Sequence, residues 1–360
     1  MNYRDATILS PVDVGASGTK VVDIDVSKPI SRIEIRFKTT KTLGYMTAPG
    51  PANISRIELV TGSTPLHSLT GYENQALAYY NRPGVSMEHG QHIDGSSEMD
   101  NYVIDFGRHL WDEMLAFDPT RFSNPQLKIT FDEDVADTGV SANELEIRAK
   151  IFDEKAVTPI GFLSAIEHYD YTCGANNSFE TIEMPEDRVY RQLLVRAFYQ
   201  GYEPWYNIDE ARFDEGTLDR IPWEFTSLEA YYRMMKAVWT PIQTTIIGIA
   251  SAGGRVFYVP STDYWTTLMV TNQGNGADLY MSGASMRGGK ATLISASASQ
   301  FTGMSHGYLP WHCYQFPMGK QDVIEDWYDP AGKKPRLRLR ASTGATSATG
   351  QVVIEELHKY

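Results

Sequence analysis

The tripeptide aromatic-Asp-Pro occurs twice in this chain, and each time the same succession of features follows it. Phe117-Asp118-Pro119 precedes Pro125-Gln126-Leu127-Lys128-Ile129-Thr130 and then the alternating run Leu145-Glu146-Ile147-Arg148-Ala149-Lys150-Ile151. Tyr328-Asp329-Pro330 precedes Pro335-Arg336-Leu337-Arg338-Leu339-Arg340 and then Val352-Val353-Ile354-Glu355-Glu356-Leu357. The copies lie about 210 residues apart, far beyond the ~20–50-residue units of solenoids and propellers. Two copies of a whole domain are the reading, and 360 residues suit two domains that each bury a core.

Period-2 alternation dominates both halves. Strands are expected at 21–26, 33–37, 57–60, 102–106, 127–130 and 145–151, with turn residues such as Pro49-Gly50-Pro51 and Asp137-Thr138-Gly139 between them. A helical segment fits 72–80. The second half follows the same order, with strands at 166–171, 179–182 and 193–199 and a helical segment at 225–237. Strands follow at 244–249, 256–259, 268–271, 279–282, 292–295, 314–316, 337–340 and 352–357. Further echoes keep the order: Arg32 and Arg36-Phe37 with Arg191, Arg196 and Phe198; Ala78-Tyr79-Tyr80 with Ala230-Tyr231-Tyr232; Tyr102 and Gly107 with Tyr314 and Gly319. The expected fold is all-β: two tandem eight-stranded antiparallel jelly rolls, each with a short helical insertion. The first roll is expected over 1–157 with an arm at about 1–19, and the second over 158–360 with enlarged loops at about 250–310. An immunoglobulin-like pair fits less well, because the Cys…Trp…Cys spacing is missing and each unit exceeds the ~100 residues of that fold.

Net charge of −13 argues against a sequence-independent nucleic-acid binder, which needs surplus Lys and Arg to displace counterions. With 42% hydrophobic and 21% charged residues the composition is that of a globular domain. Cys173 and Cys313 are the two cysteines, so no disulfide framework is implied and reduced, partly buried thiols are expected. Residues 1–11 lack the pattern of a secretion signal, and the longest apolar run, 246–252, is far short of the ~18–20 residues of a membrane span.

No constellation for chemistry stands out. His89, His92, Glu98 and His109 cluster in sequence, but His89-Gly90-Gln91-His92 lacks the His-x-His spacing of a cupin metal strand, so a loop is expected. His306 and His312 read the same way. The run from Asp132 to Asp137 could hold a hard cation but lacks the spaced carboxylates of a calcium loop. Neither a Gly-x-Ser-x-Gly elbow nor a phosphate-binding or dinucleotide loop occurs. The basic run from Lys333 to Arg340 alternates Arg with Leu, which puts its arginines on one strand face to meet acidic neighbours in the same or an adjacent subunit. Tyr199, Tyr202, Trp205 and Tyr206, like Tyr264-Trp265, suit either a core or an interface, or a platform for sugar rings. No catalytic, cofactor-binding or metal-ligating residue is assigned, and no cofactor is expected.

Tandem jelly rolls, the early turn Gly62-Ser63-Thr64-Pro65-Leu66, one helix per half and the enlarged loops of the second roll together resemble one family. It is the double jelly-roll major capsid protein of tailless icosahedral viruses, particularly bacteriophages with an internal membrane. The resemblance spans nearly the whole chain. It implies a non-enzymatic shell protein, made in the host cytoplasm and resident in the virion, whose homotrimers present six upright rolls as a pseudo-hexagonal tile. Loops of one end, here 250–310, would project as a tower. Neighbouring capsomers, penton and minor capsid proteins would be partners, with the arm at 1–19 reaching a neighbour or the membrane; no direct nucleic-acid contact is implied. The rival readings are a two-jelly-roll hydrolase acting on glycans or glycoproteins, and a carbohydrate-binding or adhesin module.

Overall fold

Alternating apolar residues build the first layers as expected. In the strand of residues 125–132, Leu127, Ile129 and Phe131 are buried while Gln126, Lys128 and Thr130 are half-buried on the other face, the period-2 signature of a sheet with one face on a core. The computed structural model describes residues 1–41, 48–82, 90–92, 97–135, 140–199, 201–216, 218–250, 255–270, 279–281, 288–295, 299–344 and 347–360.

The first half contains β1 (Tyr3–Asp13), β2 (Ser17–Asp23), β3 (Ile30–Lys41), β4 (Ile54–Thr61), β5 (Thr64–Leu69), α1 (Gly71–Asn81), β6 (Gly90–His92), β7 (Ser97–Asp105), β8 (Pro125–Asp132) and β9 (Val140–Phe152). A four-stranded sheet ordered β1-β9-β3-β7 packs on β2-β8-β4-β5, with Ile33, Ile35, Phe37, Leu59, Leu127 and Ile147 in the core between them. The second half contains β10 (Gly161–Thr172), β11 (Phe179–Glu183), β12 (Tyr190–Phe198), β13 (Ile208–Glu215), β14 (Arg220–Phe225), α2 (Leu228–Met235), β15 (Ile242–Ala250), β16 (Arg255–Tyr258), β17 (Ser261–Val270), β18 (Leu279–Met281), β19 (Lys290–Ser295), β20 (Ser299–Pro310), β21 (Cys313–Pro317), β22 (Pro335–Ala341) and β23 (Thr349–Lys359). Here β10-β23-β12-β21 packs on β11-β22-β13-β14. Substituting β10 for β1, β11 for β2, and onward to β23 for β9 reproduces the strand order of both sheets. Each half is a jelly roll, and the rolls repeat strand for strand.

The repeat extends to single hydrogen bonds. Phe117 and Ile30 exchange backbone bonds at 2.7 and 2.9 Å, and Tyr328 and Tyr190 do so at 2.8 and 3.1 Å, each tying the aromatic-Asp-Pro loop to the first residue of the third strand. Asp118 accepts from Thr120 N–H, and Asp329 from Ala331 N–H, both at 3.1 Å. These are the Asx turns that an Asp-Pro step favours. Pro125 and Pro335 open the next strand, and their carbonyls accept from Ile24 and Met184, both at 3.0 Å. The residues before these prolines, Asn124 and Lys334, have φ of 54° and 47°. A bulge falls at Ser31 in β3 and at Arg191 in β12, so the echoes align as Arg36 with Arg196 and Tyr102 with Tyr314, while Arg32 matches Gln192 rather than Arg191.

Several expectations are corrected. Tyr3–Asp13 is not an arm: it is β1, paired along β9 as a roll strand. The Gly62 turn leads into β5, which had not been anticipated. Nor had β13 and β14, because Asp209, Glu210, Asp214 and Glu215 hide the alternation of β13; Asp214 and Glu215 are buried against arginines instead. The insertion between α2 and β21 begins at Ile242, earlier than 250, and its strand β15 pairs in parallel with β6 of the first roll. The helices occupy the same topological place but differ in setting. Nearly all of α1 is buried, whereas α2 keeps one face outside.

Candidate functional site

The residues singled out from sequence do not converge. His89 and Asp137 lie outside the described residues. Glu98 is buried near one end of β7, opposite Thr39, and His109 follows the other end of that strand; the seven residue steps from Glu98 to Asp105 span about 23 Å. Those two cannot share an ion. His92 ends β6. Asp132 ends β8, and the Glu133 carboxylate next to it accepts from Asn143 Nδ2. Among the described residues no three His, Cys, Asp or Glu side chains gather as a metal-binding group. His306 is exposed on β20, whereas His312 is buried and its imidazole is held down to about 3 by burial and by Arg196. Both cysteines are buried and free, with burial pushing the Cys173 thiol up to about 11.

The arginines of β22 do meet acids of their own subunit. Arg336 pairs with Asp214 at 2.6 Å, and Arg340 with Asp209 and Glu210 at 2.8 Å each, while Leu337 and Leu339 fill the core. Arg338 lies 3.6 Å from the centre of the Phe179 ring. This face is an ion-pair lattice across β13 and β22. The aromatic cluster divides: Trp205 stacks on Tyr232 at 5.2 Å beside the core, whereas Tyr202 and Tyr206 remain 44% and 38% exposed. The side chains of Tyr264 and Trp265 lie outside the described residues.

What the fold does build is a seam between the rolls. β5 runs parallel to β10 with Ser68 opposite Ile166, joining one sheet of each roll into a continuous eight-stranded sheet. Ser164 Oγ donates to the Leu66 carbonyl, and Ala165 N–H to His67 Nδ1. Below them, Leu163 N–H donates to the Phe106 carbonyl at 2.8 Å and Ala116 N–H to that of Gly161 at 3.0 Å. Phe162 meets Phe106 and Phe117 edge to face at 6.0 and 5.3 Å. Above them α1 buries Leu77, Tyr79 and Tyr80 against Leu194, Cys313 and Val353 of the second roll. This explains why β12 and the middle of β23 are buried on both faces.

Sequence reasoning missed the polar centre of the seam. Arg191 and Glu355, with side chains 4% and 2% exposed, pair at 2.8 Å. Asn81 receives a bond from Arg191 at 2.7 Å and donates one to Glu355 at 2.7 Å. Gln192 donates to Glu355 at 2.6 Å and accepts from Gln315. The signal was Glu355-Glu356 inside an apolar strand. Burial holds the His67 ring at about 3, and burial together with Glu167 raises the Glu73 carboxyl above the usual range. At the top, Arg196 lies 4.3 Å from the Tyr72 ring centre, beside a cavity of about 300 Å³ lined by Phe198, Trp311 and His312. Asn81, Arg191, Gln192, Gln315 and Glu355 satisfy one another, which stiffens the joint.

Compared as a sequence, the chain matches no protein-family model and no curated protein. Compared as a fold, it is similar to the major capsid protein P2 of bacteriophage PM2, with a TM-score of 0.56 at 10% identity over 99% of this chain and 98% of that one. The major capsid protein of STIV (Sulfolobus turreted icosahedral virus) matches at 0.60 with 11% identity, over 99% and 96% of the two chains. VP54 of PBCV-1 matches at 0.60 with 7% identity, over 99% and 93%. The fold is that of a double jelly-roll major capsid protein. In this double jelly roll the insertion between α2 and β21 is the chief departure of one roll from the other, and β6 ties it to the first roll.

Proposed function

We propose that the chain is the structural shell protein of an icosahedral virion, with three copies forming a pseudo-hexagonal tile of six rolls. The observation that carries this is the strand-for-strand duplication, joined by a shared eight-stranded sheet into one stiff unit. A rigid sandwich pair suits tiling, and closed symmetry satisfies each interface without open growth. On this reading the rolls divide at about 157/158, the segment 242–310 is the outward tower, neighbouring capsomers and penton and minor capsid proteins are the partners, and no reaction is catalysed. The net charge of −13 supports a shell that does not grip the genome. Membrane contact through an arm is not part of the proposal, since that segment is β1 of the first roll.

Light scattering of the purified chain, followed by electron microscopy with its native partners, tests the reading. A particle near three times 40.4 kDa with a hexagonal outline is expected. A chain that stays monomeric at every concentration, and that enters no particle with its partners, would contradict it.

A further inference from the structure

The rolls share one interface inside the chain, and the same interface has two open halves on its outside. β5 is covered by β10, but its counterpart β14 hydrogen-bonds only to β13 among the described strands. β10 covers β5, but its counterpart β1 hydrogen-bonds, among the described strands, only to β9. The ladders fix which residues correspond. Ser68 follows His67, which faces Leu59; Glu224 follows Trp223, which faces Phe213; and Leu59 and Phe213 face Leu127 and Leu337, each two residues after the opening proline. Glu224 is therefore the counterpart of Ser68. Ile166 faces Ile354, and Ala6 faces Ala149, at the same distance from the bulge in β12 and β3. Ala6 is therefore the counterpart of Ile166, and both strands carry their next register shift one residue later, after Glu167 and Thr7.

We propose that β14 and the groove beneath it receive the outer edge of β1 from a second copy, in parallel, with Glu224 opposite Ala6, and that three such contacts close the ring. This deepens the capsid reading and rests on it. The groove has a volume of about 430 Å³ and is lined by Arg220, Pro222, Trp223, Met318, Trp327 and Tyr328. Its counterpart in the first roll, bordered by Phe106, Ala116 and Phe117, is filled by Gly161-Phe162-Leu163 at the start of β10. The same step applied to β1 seats Asn2-Tyr3 of the neighbour over Met318. Arg4 takes the place of Ser164, whose hydroxyl bonds the Leu66 carbonyl, and lies diagonally beside Glu224; the two are now 52% and 40% exposed in the single chain. Arg220, Pro222 and Glu224 discourage indiscriminate pairing of this edge, so a partner must bring the matching register and charge.

Oxidative trapping of the full-length chain tests the seam. Adjacent strands lie ~4.8 Å apart, within the ~4.4–6.8 Å Cα range of a disulfide. The variant A6C/E224C should form a reducible covalent series that ends at three chains on denaturing gels, while either single variant and the shifted pair A6C/R220C should not. A native trimer without the 6–224 bond would overturn the seam and leave the capsid reading standing. A covalent series continuing beyond three chains would overturn ring closure. A chain that never associates would overturn both. Should the double variant misfold, hydrogen exchange on the unmodified chain decides: amides of 3–8 and 220–225 should slow at least tenfold on association, and protection elsewhere with these edges still open would overturn the seam.

Discussion

Arg191 and Glu355 show how a charge can sit in the middle of this molecule. Each is almost fully buried, both bond Asn81, Glu355 also accepts from Gln192, and Arg191 also donates to the Gln321 carbonyl, so neither charge is left unpaired. Replacing Glu355 with Leu leaves the guanidinium unpaired and should lower the unfolding free energy by about 3–5 kcal/mol; the double variant R191M/E355L should restore more than half of that in denaturant titrations. With the same sign as His312, His67 contributes to the pH dependence of the seam. Its ring sits at about 3, below the ordinary 6.5, so the unfolded chain binds a proton that the folded chain refuses between those values. Stability should therefore fall as pH drops through that window. His67→Gln should reduce the slope by up to ~1.4 kcal/mol per pH unit. Glu73 acts with the opposite sign: its raised pKa contributes stability that is complete below about 4.5 and is lost as pH rises through the folded value.

At the scale of elements, the duplicated loops offer matched experiments. Lys334 and Asn124 hold the same left-handed conformation before their prolines, but asparagine tolerates it and lysine does not. Lys334→Gly should raise stability by about 0.5–1 kcal/mol and Asn124→Gly should change it little, as judged by shifts in denaturant midpoint. The contrast among strands explains what could be read in advance. β8 and β22 alternate cleanly because one face meets the core and the other meets partly solvated polar groups. β1 carries Ser10 and Pro11 and is shallowly buried, so its pairing with β9 left little apolar pattern. β13 buries acids that only its arginine neighbours make tolerable.

For the whole molecule, the shared sheet has a mechanical consequence. Because β5 and β10 lie in one sheet and α1 is buried against both rolls, the rolls should unfold together. Calorimetry should show a single transition; two resolved transitions would mean that the seam adds little. Pulling the rolls apart exposes Leu77, Tyr79, Tyr80, Leu194 and Val353 at once, a loss of ~1.5–3 kcal/mol for each large apolar side chain. That is ample to couple two domains of this size.

Two rolls in one chain, an all-β alternation and the identity of the repeated loop were legible in the residues, because local turn chemistry and the period of a strand are properties of neighbouring positions. The arginine face of β22 was legible for the same reason. Which strands stand side by side, that the leading segment closes the first roll, and that Asn81 meets Arg191 and Glu355 were decided in three dimensions. Those contacts join residues 110 and more positions apart. Burial on both faces erases the alternation by which such strands would otherwise announce themselves.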